Sequence, residues 1–152
     1  MKLAEALILR ADAQKHIAQL RQRLMRSARV QEGEQPPEEP QALLAELETT
    51  TNTLVQLIQQ INRTNAVTRF QAGMLSDALA ERDSLQLKRS AYDGLINAAT
   101  VRQDRYMRSE LRLVSTVNVA ELQRQIDQLS RQYRELDAQI QALNWATDLI
   151  EA

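Results

Sequence analysis

The sequence predicts an all-α protein, an antiparallel four-helix bundle of long, coiled-coil-type helices. The chain of 152 residues contains only 3 Gly, 3 Pro and 3% aromatic residues, so it is poor in helix breakers and in strand formers. Apolar residues recur at alternating steps of three and four along its last third, which is the heptad spacing of packed helices. Pro- or Gly-containing stretches separate the other apolar segments, and we expect one helical domain over residues 1–152.

The fourth predicted helix, from about 118 to 151, is the clearest. Asn118 is a suitable N-cap, and Glu121 three residues later completes a capping-box pattern. One apolar seam runs along it for more than four heptads: Val119, Leu122, Ile126, Leu129, Tyr133, Leu136, Ile140, Leu143, Thr147 and Ile150.

The second predicted helix, about 41–72, shows the same spacing. It can begin just after Pro40 and end near Gly73, which is suited to a left-handed C-cap. The stretch "QAGMLSD" then predicts a tight connection to the next helix. The predicted seam is Leu44, Leu47, Thr51, Leu54, Ile58, Ile61, Asn65 and Thr68.

The first and third helices are predicted at about 3–28 and 77–109. Helix 1 uses Leu3, Leu7, Ile17, Leu20 and Leu24 as its apolar face. Helix 3 carries a second apolar stripe in addition to its main one, and surplus apolar faces of this kind favour burial between subunits. The main stripe of helix 3 is Ala78, Arg82, Leu85, Arg89, Tyr92, Ile96, Ala99, Gln103 and Tyr106; the second contains Leu79, Leu87, Ala91 and Leu95.

Two connections interrupt the helical pattern. Residues 29–40, "RVQEGEQPPEEP", form an acidic, proline-rich loop because Pro36, Pro37 and Pro40 cannot continue a helix. Residues 110–117 are rich in β-branched residues and partly alternate. They predict a short β-ribbon with residues near 28–32.

An up-down-up-down order would bring three polar motifs to one end of the bundle: "INRTN", "SDALAERD" and "NWATDL". Such a cluster can be a closed, ion-paired network that fixes helix register, a ligand pocket, or a solvated surface. The candidate ligand-binding residues are Asn62, Arg63, Asn65, Arg82, Asp83, Asn144 and Trp145.

Signals for catalysis and metals are weak. There is no Cys, the glycines are scattered, and no nucleophile–His–acid spacing or phosphate-binding loop is present, so no catalytic residues and no cofactor are predicted. Asp12 and His16, four residues apart, can share a helical face as a two-ligand start to a metal site. An exposed surface pair is the simpler interpretation.

The charge pattern favours neither a nucleic-acid nor a membrane partner. The formal net charge is −1, and the basic residues that end helix 1 precede an acidic loop. "MKLAEALILRAD" is interrupted by charges too early for a signal-peptide core, and no apolar run reaches the ~20 residues of a membrane span. We therefore expect a cytoplasmic protein.

The order of several motifs resembles an uncharacterised bacterial family of short proteins, some members of which are labelled septicolysin. The resemblance covers nearly the whole chain: "MKLAEALILRAD", "RVQEGEQPPEEP", "LIQQINRTN", "LSDALAERD", "LVSTVNVAELQRQID" and "RELDAQIQALNWATDL" follow one another in that order. It implies an all-helical, homo-oligomeric protein, and it supplies no catalytic residue set.

The expected function is that of a self-associating helical structural or interaction protein, as a homodimer or an assembly of dimers. A small-ligand-binding protein or enzyme using the polar bundle end is the alternative. Cytolysis, suggested by the family label, is a minor alternative, because we find no amphipathic hairpin or apolar insertion segment in the sequence.

Overall fold

The computed structural model describes residues 1–100 and 112–152. Within them the chain is mostly helical, which confirms the all-α class, and it also contains a two-stranded antiparallel hairpin. Two compact units are present, Met1–Met74 with Gln141–Ala152, and Leu75–Ile140. The elements are α1 (Leu3–Arg26), α2 (Pro40–Val67), β1 (Arg69–Phe70), β2 (Gly73–Met74), α3 (Leu75–Thr100) and α4 (Val119–Ala146).

Helices α1 and α2 form an antiparallel pair in the first unit. His16 on α1 contacts Glu46 on α2, and Arg23, nearer the end of α1, contacts Glu38 just before α2. The two helices therefore run in opposite directions. Six apolar side chains of this pair, each at most 7% exposed, form the core of the helix interface. They are Leu3, Ala6 and Leu20 on α1 with Leu43, Leu57 and Ile61 on α2.

The more deeply buried stripe of α2 differs from the predicted seam in half of its positions. Six of the eight predicted residues, including Ile58 and Asn65, are buried or half-buried, whereas Leu44 and Thr51 are exposed. At the four positions that differ, the more deeply buried residue is the one just before the predicted residue. The two stripes have the same heptad spacing. The observed seam is Leu43, Leu47, Thr50, Leu54, Leu57, Ile61, Thr64 and Thr68.

Helix α2 ends at Val67, and the predicted end near Gly73 is wrong. Thr68 has an extended backbone (φ −77°, ψ 121°), and Arg69 and Phe70 pair with Met74 and Gly73 in the β1–β2 hairpin. The two-residue turn places Gln71 at φ 49°, in the left-handed region that short hairpin turns need. The tight connection read from "QAGMLSD" is therefore a hairpin, and two-residue strands are too short to leave an alternating pattern.

The acidic, proline-rich loop is anchored at its C-terminal end, just before α2. Pro40 is the first residue of α2, where its missing N–H costs nothing, and the Glu39 carboxylate accepts from Gln41 N at 3.3 Å. Arg23 Nε donates to Glu38 Oε2 at 2.8 Å. This hydrogen bond raises the pKa of Arg23 and lowers the pKa of Glu38.

Helix α4 follows the predicted seam from Val119 to Leu143 but ends at Ala146, so the predicted end at 151 is wrong. Asn118 Oδ1 accepts from Glu121 N at 3.0 Å, which confirms the predicted cap. Hydrogen bonds from Arg124 lower the pKa of Glu121. After α4 the backbone leaves the helix because Asp148 pairs with Lys2 in an antiparallel β-bridge.

The second unit contains α3 and the first part of α4, which also run antiparallel. Arg82 at the start of α3 contacts Asp137 late in α4. The main predicted stripe of α3 faces inward: its members from Ala78 to Ala99 are buried or half-buried. Gln103, Tyr106 and the predicted last part of this helix, up to 109, lie outside the described residues.

The predicted β-ribbon is absent from the residues that the structure describes. Residues 28–32 and 112–117 form no strand, and residues 110 and 111 lie outside the described part. Local turns satisfy the backbone instead: Ser115 Oγ donates to Val117 O at 2.8 Å, and Glu34 N donates to Gln31 O at 2.9 Å. Such local bonds compete with strand pairing.

Across residues 1–100 and 112–152, no helix combines the length and the apolar character that crossing a bilayer requires.

Candidate functional site

The first unit contains a polar junction where the end of the chain meets the start of α1 and the last turns of α2. We call the terminal junction the set of residues 1–3, Gln60, Thr64 and 146–151. Leu3 N donates to Thr147 O, and Leu149 N donates to Met1 O, each at 2.9 Å. The residues that follow α4 thereby have their backbone groups paired with the start of the chain.

Thr64 joins this junction to α2. Its side chain is 1% exposed, its hydroxyl donates to Gln60 O at 2.8 Å, and the same oxygen accepts from Ile150 N at 3.0 Å. Gln60 Nε2 donates to Glu151 O at 3.1 Å. Thr64 therefore meets the requirement that a buried hydroxyl be hydrogen-bonded.

An ion pair lies at the edge of the terminal junction. Lys2 Nζ is 2.7 Å from Asp148 Oδ1 and donates to Ala146 O at 3.4 Å. The hydrogen bond from Lys2, with the charge of its ammonium group, lowers the pKa of Asp148. The Asp148 side chain is 80% exposed, so solvent screens this pair strongly.

Five of the predicted ligand-binding residues belong to the same unit as the terminal junction. Asn144 is buried at 3% exposure, and Asn65 is half-buried. Asn62 and Arg63 are exposed, and Trp145 is 55% exposed. The segment "INRTN" is thus helical, with its polar side chains in three different environments.

Arg82 and Asp83, the other two predicted residues, belong to the second unit. Arg82 Nη1 donates to Asp137 Oδ1 at 2.9 Å, and its Nε lies 3.6 Å from Asp83 Oδ1. That Nε is buried without a hydrogen-bond partner among the described residues. The hypothesis that all seven residues form one site stays a prediction.

Thr64 was not among the predicted site residues, because the predicted seam of α2 passes through its neighbour Asn65. The available signal was the alternative heptad that runs through Leu43, Thr50 and Leu57. A threonine at such a position can be buried, since its hydroxyl can bond to the carbonyl of the preceding turn.

Asp12 and His16, the weak metal-ligand candidates, lie in different environments. His16 Nε2 lies 2.8 Å from Glu46 Oε1 on the neighbouring helix, while Asp12 is exposed. In the described part of the chain, no three His, Cys, Asp or Glu side chains are grouped as a metal site would need.

A polar cleft of about 320 Å³ lies between α3 and α4 in the second unit. Lys88 Nζ is 5.9 Å from the centre of the Tyr92 ring on one wall, a cation–π distance. The other wall is formed by Glu121, Gln125, Gln128, Leu129 and Gln132 of α4.

Residues 10–149 match the model of a family of unknown function, DUF6847. The chain belongs to the DUF6847 family. A crystal structure of a functionally unknown conserved protein from Corynebacterium diphtheriae is similar to this DUF6847 chain over 99% of both chains, with 46% sequence identity and a TM-score of 0.86. No curated protein matches the chain. The resemblance to an uncharacterised bacterial family is therefore confirmed, whereas neither description contains the septicolysin label.

Proposed function

We propose that this DUF6847 chain is a self-associating helical protein that acts as a structural or interaction module, as a homodimer or an assembly of dimers. The observation that carries the proposal is the exposure of large apolar side chains: Leu87 is 73% exposed, Trp145 55% and Ile8 51%. Apolar surface in contact with water favours association, because its burial releases roughly 25 cal/mol per Å².

The terminal junction supports a structural role for the polar residues. Thr64, Gln60 and Lys2 direct their polar atoms at backbone carbonyls or carboxylates of the same chain. A binding site needs convergent donors that a ligand can use. The donors of these three side chains are already engaged, which suits a junction that fixes the helix ends.

The heptad seams support an antiparallel four-helix bundle as the arrangement of the four helices. The α1–α2 pair and the α3–α4 pair each run antiparallel, as up-down-up-down bundles require.

Light scattering coupled to size-exclusion chromatography tests self-association. One chain has a mass of 17.3 kDa, and we expect twice this mass, or an even multiple, at micromolar concentration. A mass of one chain over the whole concentration range would show that the proposal is wrong.

A second candidate function is the binding of a small ligand at the predicted polar residues. It is supported by Arg63 and Trp145, which leave a guanidinium group and an indole exposed in the unit that contains half-buried Asn65. Native mass spectrometry of protein purified from cells tests it: a retained small molecule should be lost in Asn65→Ala while the oligomer mass stays the same. A changed oligomer, with no retained molecule in either protein, would favour the structural role.

A further inference from the structure

Helix α3 has an exposed face opposite its inward stripe. Six residues on this face follow one another at alternating steps of four and three, which is a complete heptad pattern. We call them the outer face of α3. None of them is charged, all are exposed, and Leu87 at 73% is the most exposed large apolar side chain of those described. The six residues are Ala80, Ser84, Leu87, Ala91, Gly94 and Ala98.

The outer face is open and lets another helix approach closely. Five of its six residues are Ala, Ser or Gly, and a Cβ built on Gly94 would meet no atom within 4 Å. Small side chains bring helix backbones together, and one Leu among them supplies a knob for a facing hole. Solvent-exposed helix faces normally carry charged residues at these positions, so the heptad pattern calls for a packed neighbour.

We propose that two copies of the chain pair through the outer faces of α3, antiparallel and related by a two-fold axis. The inference rests on the proposed self-association and identifies its surface. A two-fold axis between residues 85 and 86 sets Leu87 of each copy opposite Ser84 of the other, and Ala80 opposite Ala91. A large side chain then meets a small one in each central layer, which fills space without strain.

Charge complementarity identifies a second copy as the partner. Glu81 and Lys88 are both exposed, and they flank the outer face at the same heptad position, one heptad apart; Lys88 also borders the cleft between α3 and α4, beside Tyr92. In an antiparallel pair, residues at this flanking position face each other, so Glu81 of each copy meets Lys88 of the other. Two reciprocal ion pairs result from a single sequence motif, as an isologous interface requires.

Other arrangements fit this face less well. A shift by one heptad sets Lys88 against Lys88, which is repulsive. A parallel pair sets Leu87 against Leu87, with small residues in every neighbouring layer; the two leucines would hold the helices apart and leave voids. The antiparallel arrangement with the axis between residues 85 and 86 avoids both problems.

Charge-exchange variants test the arrangement by analytical ultracentrifugation of the full chain. Glu81→Lys and Lys88→Glu each replace two attractive contacts in the dimer by two repulsive ones, and we expect each to raise the dimer dissociation constant roughly tenfold. The double variant Glu81→Lys/Lys88→Glu restores opposite charges, so its constant should return to within about threefold of wild type. Residues seven apart on one helix do not touch, so recovery reports a contact between copies. A double variant whose dimer dissociation constant stays as high as those of the single variants would overturn the arrangement.

A matched pair of variants identifies the surface itself. Leu87→Glu places a charge in both central layers and should weaken the dimer at least about a hundredfold, whereas Val55→Glu changes an apolar residue of α2 that is 46% exposed and should leave the dimer unchanged. Circular dichroism establishes that both variants keep their helices. A dimer that resists Leu87→Glu would overturn the α3 surface but not self-association, while a monomeric wild-type chain would overturn the proposed function as well.

Discussion

At the scale of single residues, Thr64 connects three parts of the first unit. Its hydroxyl satisfies the N–H of Ile150 and bonds to its own helix at Gln60. Since Thr64 is 1% exposed, its hydroxyl depends on these two contacts for its hydrogen bonds. The neighbouring Asn65, although more polar, is only half-buried and lies beside the observed seam.

Thr64→Val tests the role of this hydroxyl, since valine keeps the shape and removes the oxygen. We expect a loss of about 1 kcal/mol in the free energy of unfolding, because the hydrogen bond from Ile150 N–H to the hydroxyl is lost. Chemical denaturation of the variant and the wild type measures the difference.

Thr53→Val is the matched control. Thr53 Oγ1 also donates to the carbonyl four residues earlier, at 3.1 Å, but its side chain is exposed. We expect a change of less than about 0.5 kcal/mol. Equal losses in the two variants would contradict the role assigned to the Ile150 contact.

At the scale of elements, the sequence determined where helices form better than where they end or which residues they bury. The α4 seam was predictable because one apolar heptad dominates it. In α2 two heptads compete, Leu43 with Leu57 against Leu44 with Ile58, and both are apolar. The choice between them depends on contacts with distant parts of the chain, which local periodicity does not contain.

The ends of α2 and α4 were mispredicted for a related reason. Each is set by pairing with another segment, β1 with β2 in one case and Asp148 with Lys2 in the other. The sequence places polar residues in the last turns of α2 and α4, but none of the seven predicted site residues belongs to the terminal junction. The bonds of Thr64 were not predictable, because its partner Ile150 lies 86 residues away.

The loop between α1 and α2 gives a pH-dependent prediction. Because Arg23 lowers the pKa of Glu38 in the folded protein, the ion pair stabilises the fold above the unfolded-state pKa of about 4.3. This contribution is lost as the pH falls through the lowered folded-state value. Glu38→Gln should therefore destabilise the protein at pH 7, and its difference from wild type should shrink towards zero as the pH falls through the lowered folded-state pKa of Glu38.

Thermal unfolding at several pH values measures this difference. Glu34→Gln is the control, since Glu34 is an exposed carboxylate in the same loop. A Glu38→Gln difference that is constant with pH would show that the ion pair does not contribute.

At the scale of the whole molecule, self-association links stability to concentration. If folding and pairing through α3 are coupled, dilution favours unfolding, since the dimer holds its apolar face out of water. The described residues leave Leu87, Leu95 and other large apolar side chains exposed in one copy.

We expect the melting temperature of the wild type to rise by about 5 °C over a hundredfold increase in concentration. In Leu87→Glu it should be independent of concentration, because that variant is monomeric. Differential scanning fluorimetry and calorimetry together measure the melting temperature over this range of protein concentration. A wild-type melting temperature that does not change would contradict coupled folding and pairing.

The β-bridge between Lys2 and Asp148 also has a consequence for biosynthesis. Lys2 bonds to Ala146, 144 residues further along the chain. At a translation rate of roughly 5–20 residues per second, the ribosome needs about 7–30 s to make the intervening segment. During that time the first turn of α1 lacks its partners in residues 147–149, and the hydroxyl of Thr64 lacks the N–H of Ile150, so this part of the first unit stays incomplete until those residues are made.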